Sequence, residues 1–486
     1  MNSLEQPAKK NNSLFVVLLL LVYLLPWPHG GERLWQYLFF AMSFFILLAV
    51  YCLKNSYSPQ RPFAGLRPVK TPLLLLSAWL VYGLLQSLPL PLVLLELLNP
   101  AVLKNAVYLN ELNADKTTHT LSIAPGVSLA ETLKHASYVA VFILSLLLLN
   151  TRQRILQLLN VLFASSAIIA LYSVINVATK GAYSFIESIP PWTTDWSMAG
   201  HGSFSYQNHY ASFLTMTIPL GFALMYENIQ RSNKSLNNNI GRTKQQHLLN
   251  FVLSINAVYL VAMLIMISAL ITTSSRGGNS IFIVSVLLSA LAVLYQQRGK
   301  KQQRLSRLKK SAYTFTALSI MLLALFLTGI TDSLTNRLAK QGFTPNGRDV
   351  MHYTAVAIIK DYPLFGSGAG TYPIVQHQYK SPKLGNTAMS KRAHNDYLEL
   401  LANQGIIGFT VFAVVILMLY SRLFMNLKMQ ANALYGIQVG CFCSSTAILL
   451  HSLVDFNFHL PVNTVYFFLI LAIGINVKHV NQKSPR

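Results

Sequence analysis

Apolar blocks about twenty residues long recur along the whole of this 486-residue chain, and that recurrence restricts the fold more than any single motif. A helix rises about 1.5 Å per residue, so roughly 20 apolar residues cross a bilayer core about 30 Å thick. The blocks fall at approximately 14–30, 34–53, 71–90, 135–150, 155–178, 209–226, 248–271, 279–296, 311–331, 405–421, 435–451 and 463–477. A water-soluble reading fails on composition. Hydrophobic residues make up 53% of the chain and charged residues 11%, whereas a soluble chain usually carries about 25% charged residues. Too little polar surface would remain to cover so large a core. The sequence predicts an all-α polytopic membrane protein with about twelve transmembrane helices.

The net charge of +23 in a soluble chain would point to nucleic acid. Here its placement points elsewhere. With the N-terminus inside, the cytoplasmic pieces are 1–13, 54–70, 151–154, 227–247, 297–310, 422–434 and 478–486. They hold 24 of the 38 Lys and Arg residues and, as acids, only Glu5 and Glu227. The other side keeps nearly balanced charge. This is the positive-inside pattern, so the expectation is a multi-pass inner-membrane protein with both termini cytoplasmic and no nucleic-acid partner. The run from Arg298 to Lys310 is the clearest orientation signal and suits contact with anionic membrane lipids. Cys52, Cys441 and Cys443 show no metal spacing and read as small buried hydrophobes. The first apolar block lacks a small-residue cleavage site, so it reads as a span and not as a cleaved leader.

Three parts follow: helices 1–9 with short loops over 1–331, a large extracytoplasmic loop over 332–404, and helices 10–12 with a tail over 405–486. Two further outer segments are long enough to hold structure, 91–134 and 179–208. The second carries Trp192 and Trp196, which suit the headgroup level. Within the large loop, the apolar spacing from Asp349 to Asp361 predicts an amphipathic helix ending before Pro363. Gly366, Gly368 and Gly370 predict a turn. Asn395 and Asp396 suit the start of a second helix, with Glu399 favouring its first turn.

Several chemistries are missing. The chain has no phosphate-cradling loop followed by Lys-Ser or Lys-Thr, no dinucleotide fingerprint after a strand, no outer pair of acids suited to a divalent metal and no Gly-x-Ser-x-Gly elbow. What the outer side does offer is basic groups. Arg276, in Ser274-Ser275-Arg276-Gly277-Gly278, sits between two spans with almost no loop, where it can meet a phosphate at the membrane surface or act as a snorkelling anchor. Arg348 opposes the dipole at the start of its helix unless an anion occupies that N-terminus; a salt bridge to Asp349 is the other reading. His394, in Lys391-Arg392-Ala393-His394-Asn395-Asp396, is an imidazole in a solvated setting and can exchange protons near neutral pH. The stretch His451 to Pro461, with Asp455 and His459, marks another outer turn and reads as structural.

In combination these stretches resemble the superfamily of O-antigen ligases and polymerases. His394-Asn395 is followed by nine residues, Gly405, two residues and Gly408, the spacing of the family's histidine motif in its ligase branch. Ser275-Arg276-Gly277 resembles the family's arginine at the mouth of the donor cavity. Arg348, ahead of Asp361-Tyr362-Pro363-Leu364-Phe365-Gly366-Ser367-Gly368, resembles the second arginine segment. Gly202-Ser203-Phe204 through Asn208-His209-Tyr210-Ala211 resembles the stretch before a middle span, its residues open between packing and substrate contact. The late turn His451–Pro461 recurs in the family too.

The resemblance implies a membrane glycosyltransferase fold of the GT-C-like type. The donor would be a glycan on undecaprenyl diphosphate and the acceptor a hydroxyl of lipid A-core or of another glycan, with inversion at the anomeric carbon and with no metal or cofactor. It implies His394, Arg276 and Arg348 as catalytic residues, and Arg276, Arg348, Asn208, His209, Arg392 and Asn395 as substrate-binding. A polymerase or a protein O-oligosaccharyltransferase of the same fold is the nearest alternative. A transporter is the rival from another class, but the expected spans hold no midplane acid.

Overall fold

A computed structural model of the protein describes residues 11–56, 63–108, 117–183, 200–236, 254–297, 348–379, 391–428 and 434–483. The block expected at 311–331, the basic run Arg298–Lys310, and Trp192 and Trp196 lie outside the described residues. Most of the remainder is helical. Among the described residues eight helical stretches are long and apolar enough to cross a bilayer. They are α2 (Leu34–Asn55), the stretch Ala64–Leu85 that ends in α3 (Lys70–Leu85), α6 (Pro125–Leu148), α7 (Arg152–Ala178), α9 (Ile255–Thr272), α10 (Arg276–Gln296), α13 (Asp396–Asn426) and α15 (Pro461–Lys483). Three more expected blocks are also helical. Of these, α1 (Asn12–Leu24) and α14 (Tyr435–His451) are short, and α8 (Gln207–Leu236) is long but polar towards its end.

Two helices begin well before their apolar blocks. α6 starts at Pro125, whose fixed φ suits the first helical position and which needs no amide partner there. α13 starts at Asp396, where the Asn395 side chain accepts from the amides of Tyr397 and Leu398. The polar first turns of both helices extend the spans into the loop-rich end of the bundle and carry charged side chains there.

α15 is apolar on every face and accordingly runs through the centre, buried at nearly every position from Leu460 to Val477. It packs against α6 and α14. α8 packs against α14, α9 and α7, α2 against α6, and α3 against α13. One end of this bundle is tied by backbone-directed contacts such as Arg154 to the Leu148 carbonyl and Gln297 to the Leu427 carbonyl. Buried Glu227 pairs there with Arg152 and Arg231.

The opposite end carries a lobe with its own core. Strands β1 (Pro89–Pro91) and β2 (Thr118–Thr120) pair antiparallel, Leu90 opposite His119. Between them lie α4 (Leu92–Leu98) and α5 (Pro100–Tyr108). α11 (Arg348–Asp361) and the short α12 (Tyr372–Val375) pack on this unit through Leu95, Val102, Leu121, Ile358, Tyr362 and Tyr372. Residues 89–108 and 117–123 therefore form the floor on which α11 and α12 pack.

The junction of lobe and bundle is a kink in α13. Gly405 has φ 61° and ψ −173°, a backbone shape that side chains other than glycine's rarely tolerate. Breaking the helix there frees carbonyls and amides on both sides, and the turn 363–368 takes up four of them. Ser367 N donates to Ala402 O at 3.0 Å and Gly368 N to Asn403 O at 2.9 Å, while Ile406 N donates to Pro363 O at 2.9 Å and Ile407 N to Leu364 O at 3.3 Å. The approach is close enough that a Cβ on Gly405 would lie 2.2 Å from the Leu364 carbonyl oxygen. Tyr82 from α3 clamps the same junction, its hydroxyl meeting Phe365 O and Gln404 O.

Candidate functional site

His394 sits in the short stretch between the lobe and α13, one residue before the Asn395 cap. Its φ is 50°, an unusual backbone state for a residue with a side chain. Neighbours fix it. His352 Nε2 lies 3.4 Å from the His394 carbonyl oxygen, the Ala393 amide donates to Glu399 at 3.0 Å, and the Asp396 amide donates to Ser452 O at 2.9 Å. The last contact joins this stretch to the turn between α14 and α15, and so brings Asp455 to His394.

The His394 Nδ1 atom is 3.2 Å from Asp455 Oδ1. The other carboxylate oxygen accepts from Asn208 Nδ2 at 2.6 Å, and that amide also meets the Tyr206 hydroxyl at 2.8 Å. Asp455 is 1% exposed. Burial by itself would raise its carboxyl, but the contact from His394 and the attraction of His209, His394 and His451 prevail and hold it at about 2. The carboxylate is thus ionised throughout the neutral range.

Aromatic rings complete the pocket around the imidazole. Phe456 meets His394 edge to face at 4.7 Å and His209 edge to face at 4.6 Å, and Tyr206 stacks on Phe456 at 6.0 Å. His209 is buried, and neither ring nitrogen has a hydrogen-bond partner among the described residues. Its backbone carbonyl accepts from Asn463 at 3.2 Å.

The three expected basic residues reach this end of the bundle from separate elements. Arg276 opens α10 and is exposed. Ser275 caps that helix by accepting from the Gly278 amide. A Cβ on Gly277 would lie 3.5 Å from His451 Nε2 and 3.4 Å from Val454, so the Arg276 corner abuts the turn that carries Asp455. Arg348 opens α11 one turn before His352; its side chain lies outside the described residues. Arg392 is bound inward, to Glu399 at 2.7 Å and to His459 Nε2 at 2.9 Å. A guanidinium only donates, so His459 accepts with a neutral ring. Burial, together with the charges of Arg392 and Lys134, pushes His459 well below the ordinary histidine range, which agrees. Asn395 is occupied as a helix cap and by donation to Leu453 O at 2.9 Å. Among the described residues no group of His, Cys, Asp and Glu could hold a metal ion.

Asp455 was read from the sequence as part of a structural turn, 61 positions beyond the histidine it contacts. Its one sequence signal is that it is an acid in the outer part of a chain poor in acids. Nothing in the local pattern names its partner.

No curated protein matches the chain. Residues 261–413, the interval that holds Arg276, Arg348, Arg392, His394 and Asn395, match the family model described as O-antigen ligase, which supports the resemblance to the O-antigen ligase superfamily over that part of the chain.

Proposed function

We propose that this protein transfers a glycan from undecaprenyl diphosphate to an acceptor hydroxyl on the extracytoplasmic side of the inner membrane, as an inverting glycosyltransferase of the ligase type. The observation that carries the reading is the His394–Asp455 pair at the end of the bundle where the family's two arginine segments also emerge. An ionised carboxylate on Nδ1 favours the tautomer with a proton there, which leaves the Nε2 lone pair for substrate.

In this scheme the acceptor oxygen attacks the anomeric carbon from the face opposite the diphosphate. The new C–O bond forms as the bond to the phosphate oxygen breaks, and the diphosphate leaves with the electron pair. The acceptor proton passes to His394 Nε2, and Asp455 stabilises the imidazolium that results. General-base assistance of this kind contributes roughly 10²–10⁴-fold. Charge grows on the diphosphate as it leaves. Arg276, with the free amides at the start of α10, and Arg348, at the start of α11, are the groups that meet it; one preorganised donor is typically worth about 3 kcal/mol. Asn208, which also donates to the Tyr206 hydroxyl, holds the carboxylate, and Arg392 braces the stretch through Glu399.

The test is transfer from a purified lipid-linked oligosaccharide to lipid A-core by the full chain in proteoliposomes. Product from the parent protein, none from His394→Ala, and a loss of about 10²–10³-fold in Arg276→Ala are the expected results. Full activity in His394→Ala would end the proposal. Extension of the donor glycan itself, with no product on lipid A-core, would assign the same site to a polymerase.

A further inference from the structure

Three consecutive side chains at the start of α13 reach across to the segment that carries Asp455. Asn395 Nδ2 donates to Leu453 O at 2.9 Å, the Tyr397 hydroxyl donates to Leu449 O at 2.7 Å, and the Asp396 carboxylate accepts from the Phe458 amide at 3.1 Å. The first two contacts land on the α14 side of Asp455. Of the three, Asp396 alone lands beyond it. The Asp396 amide also donates to Ser452 O at 2.9 Å. One residue, two positions after His394, therefore grips the turn at 452 and again at 458. Asp455 and Phe456 lie between the two grips.

The two sides of Asp455 differ in how much support they have. On the near side the amides of Val454 and Asp455 both donate to His451 O, at 3.1 and 3.0 Å, so the chain up to Asp455 continues the last turn of α14. Beyond Asp455 that support stops. Phe456 has φ −111° and ψ 60°, outside the helical region, and its amide turns back on Asp455 Oδ1 at 3.0 Å. The short helical turn Asn457–His459 follows. An amide in the first turn of a helix has no partner within that helix, and the Asp396 carboxylate supplies one for Phe458. The Phe458 carbonyl is taken up in turn by the Thr464 hydroxyl at 2.7 Å. Lys134 and Arg392 secure the next residue, His459, at its carbonyl and its ring.

What these grips hold is the geometry at the imidazole. Asp455 Oδ1 lies 3.2 Å from His394 Nδ1, and the Phe456 ring lies 4.7 Å from the His394 ring. A neutral histidine carries its proton on the nitrogen whose partner accepts it, so a carboxylate that drifts from Nδ1 leaves the tautomer unselected.

We propose that Asp396 is a positioning residue for the His394–Asp455 pair: by holding the Phe458 amide it keeps the Asp455 carboxylate against Nδ1 and so sets the tautomer of His394. The kinetic consequence rests on the transfer reading above; the tautomer does not.

The test uses the full chain labelled with 15N-histidine in proteoliposomes, with the ring nitrogens read by solid-state NMR at a pH above the ordinary histidine range. The signal missing from His394→Ala identifies His394. The parent should show the tautomer protonated at Nδ1 as the main form, and Asp455→Asn should weaken that preference. Asp396→Ala should weaken it too. Asp396→Asn, whose amide oxygen can still accept from Phe458, should restore it. Tyr397→Phe, which removes the neighbouring contact on the near side, should leave it as in the parent. In transfer assays Asp396→Ala should lower kcat by roughly 10–100-fold with donor KM unchanged, and should lower it no further when added to Asp455→Asn. If Asp396→Ala does not fold, Asp396→Ser, polar but too short to reach the Phe458 amide, takes its place. A parent-like tautomer in the folded variant, or kcat losses that multiply in the double variant, would overturn the proposal. The expected tautomer shifts in a protein that transfers no glycan would uphold the role of Asp396 and end the transfer reading instead.

Discussion

In the proposed mechanism the Asp455 carboxylate, 3.2 Å from His394 Nδ1, favours the tautomer with its proton there and opposes the charge that proton transfer creates. Replacing it by asparagine keeps the shape and removes the charge. We expect Asp455→Asn to lower kcat by about 10²–10⁴-fold with little change in donor KM. Because the pair acts as a unit, Asp455→Asn combined with His394→Ala should be no worse than His394→Ala alone; losses that multiply would separate the two residues. The same carboxylate leaves a pH signature. Its folded value of about 2 lies below the roughly 3.9 of an unfolded aspartate, so the unfolded state binds more protons between them. The stabilisation, roughly 2–3 kcal/mol, is complete above about pH 4 and is lost as pH falls through about 2. Thermal unfolding followed from pH 5 to pH 2 should show a shallower acid limb in Asp455→Asn than in the parent.

At the scale of an element, α13 is one helix with two jobs divided at Gly405. Its first turns carry Asn395 as cap and Glu399 as the anchor of Arg392, and its remainder crosses the membrane. The kink lets the first part tilt towards the lobe, and the turn 363–368 repairs the hydrogen bonds that the kink opens. Both sides of that repair need glycine, because a Cβ on Gly366 would meet Asn403 at 2.4 Å as surely as one on Gly405 would meet Leu364. Gly405→Ala should therefore cost at least about 2 kcal/mol, read as a fall in melting temperature or in folded yield. Gly126→Ala is the control: it sits on the helical first turn of α6 with nothing within 4 Å of a new Cβ, and its stability should match or slightly exceed that of the parent.

Across the whole molecule, the alternation of basic and neutral loops sets which end of the bundle faces the cytosol. The lobe built from 86–108, 117–124, 348–379 and 391–404, the Ser203–Phe204 stretch, the Arg276 corner and the 452–460 turn all meet at one end, as Ser203 to Pro26 O, Ile123 to Ser367 O and Asn208 to Asp455 record. The positive-inside pattern predicts that this end lies outside. In a background with Cys52 replaced by serine, Gly126→Cys should react with an impermeant maleimide in intact spheroplasts, whereas Lys428→Cys should react only after permeabilisation. The reverse labelling would invert the topology and remove the site from its proposed donor.

Much of the architecture was legible because a bilayer leaves a chain few options. Uninterrupted apolar length had to become helix. Asn395 as cap, the helix ending before Pro363 and the glycine turn were also readable, since caps, prolines and glycines act over a few residues. Contacts made by distant segments were not. The kink at Gly405 depends on which backbone lies across from it, and the floor formed by 89–108 and 117–123 depends on apolar residues too sparse to announce a partner. Asp455 meets His394 through contacts between distant segments, such as the Asp396 amide on Ser452 O and the Asn395 side chain on Leu453 O. The sequence determined the membrane, the helices and the candidate histidine through rules of short range. Tertiary structure decided which carboxylate that histidine faces, because pairing across the fold is set by packing geometry that no local pattern encodes.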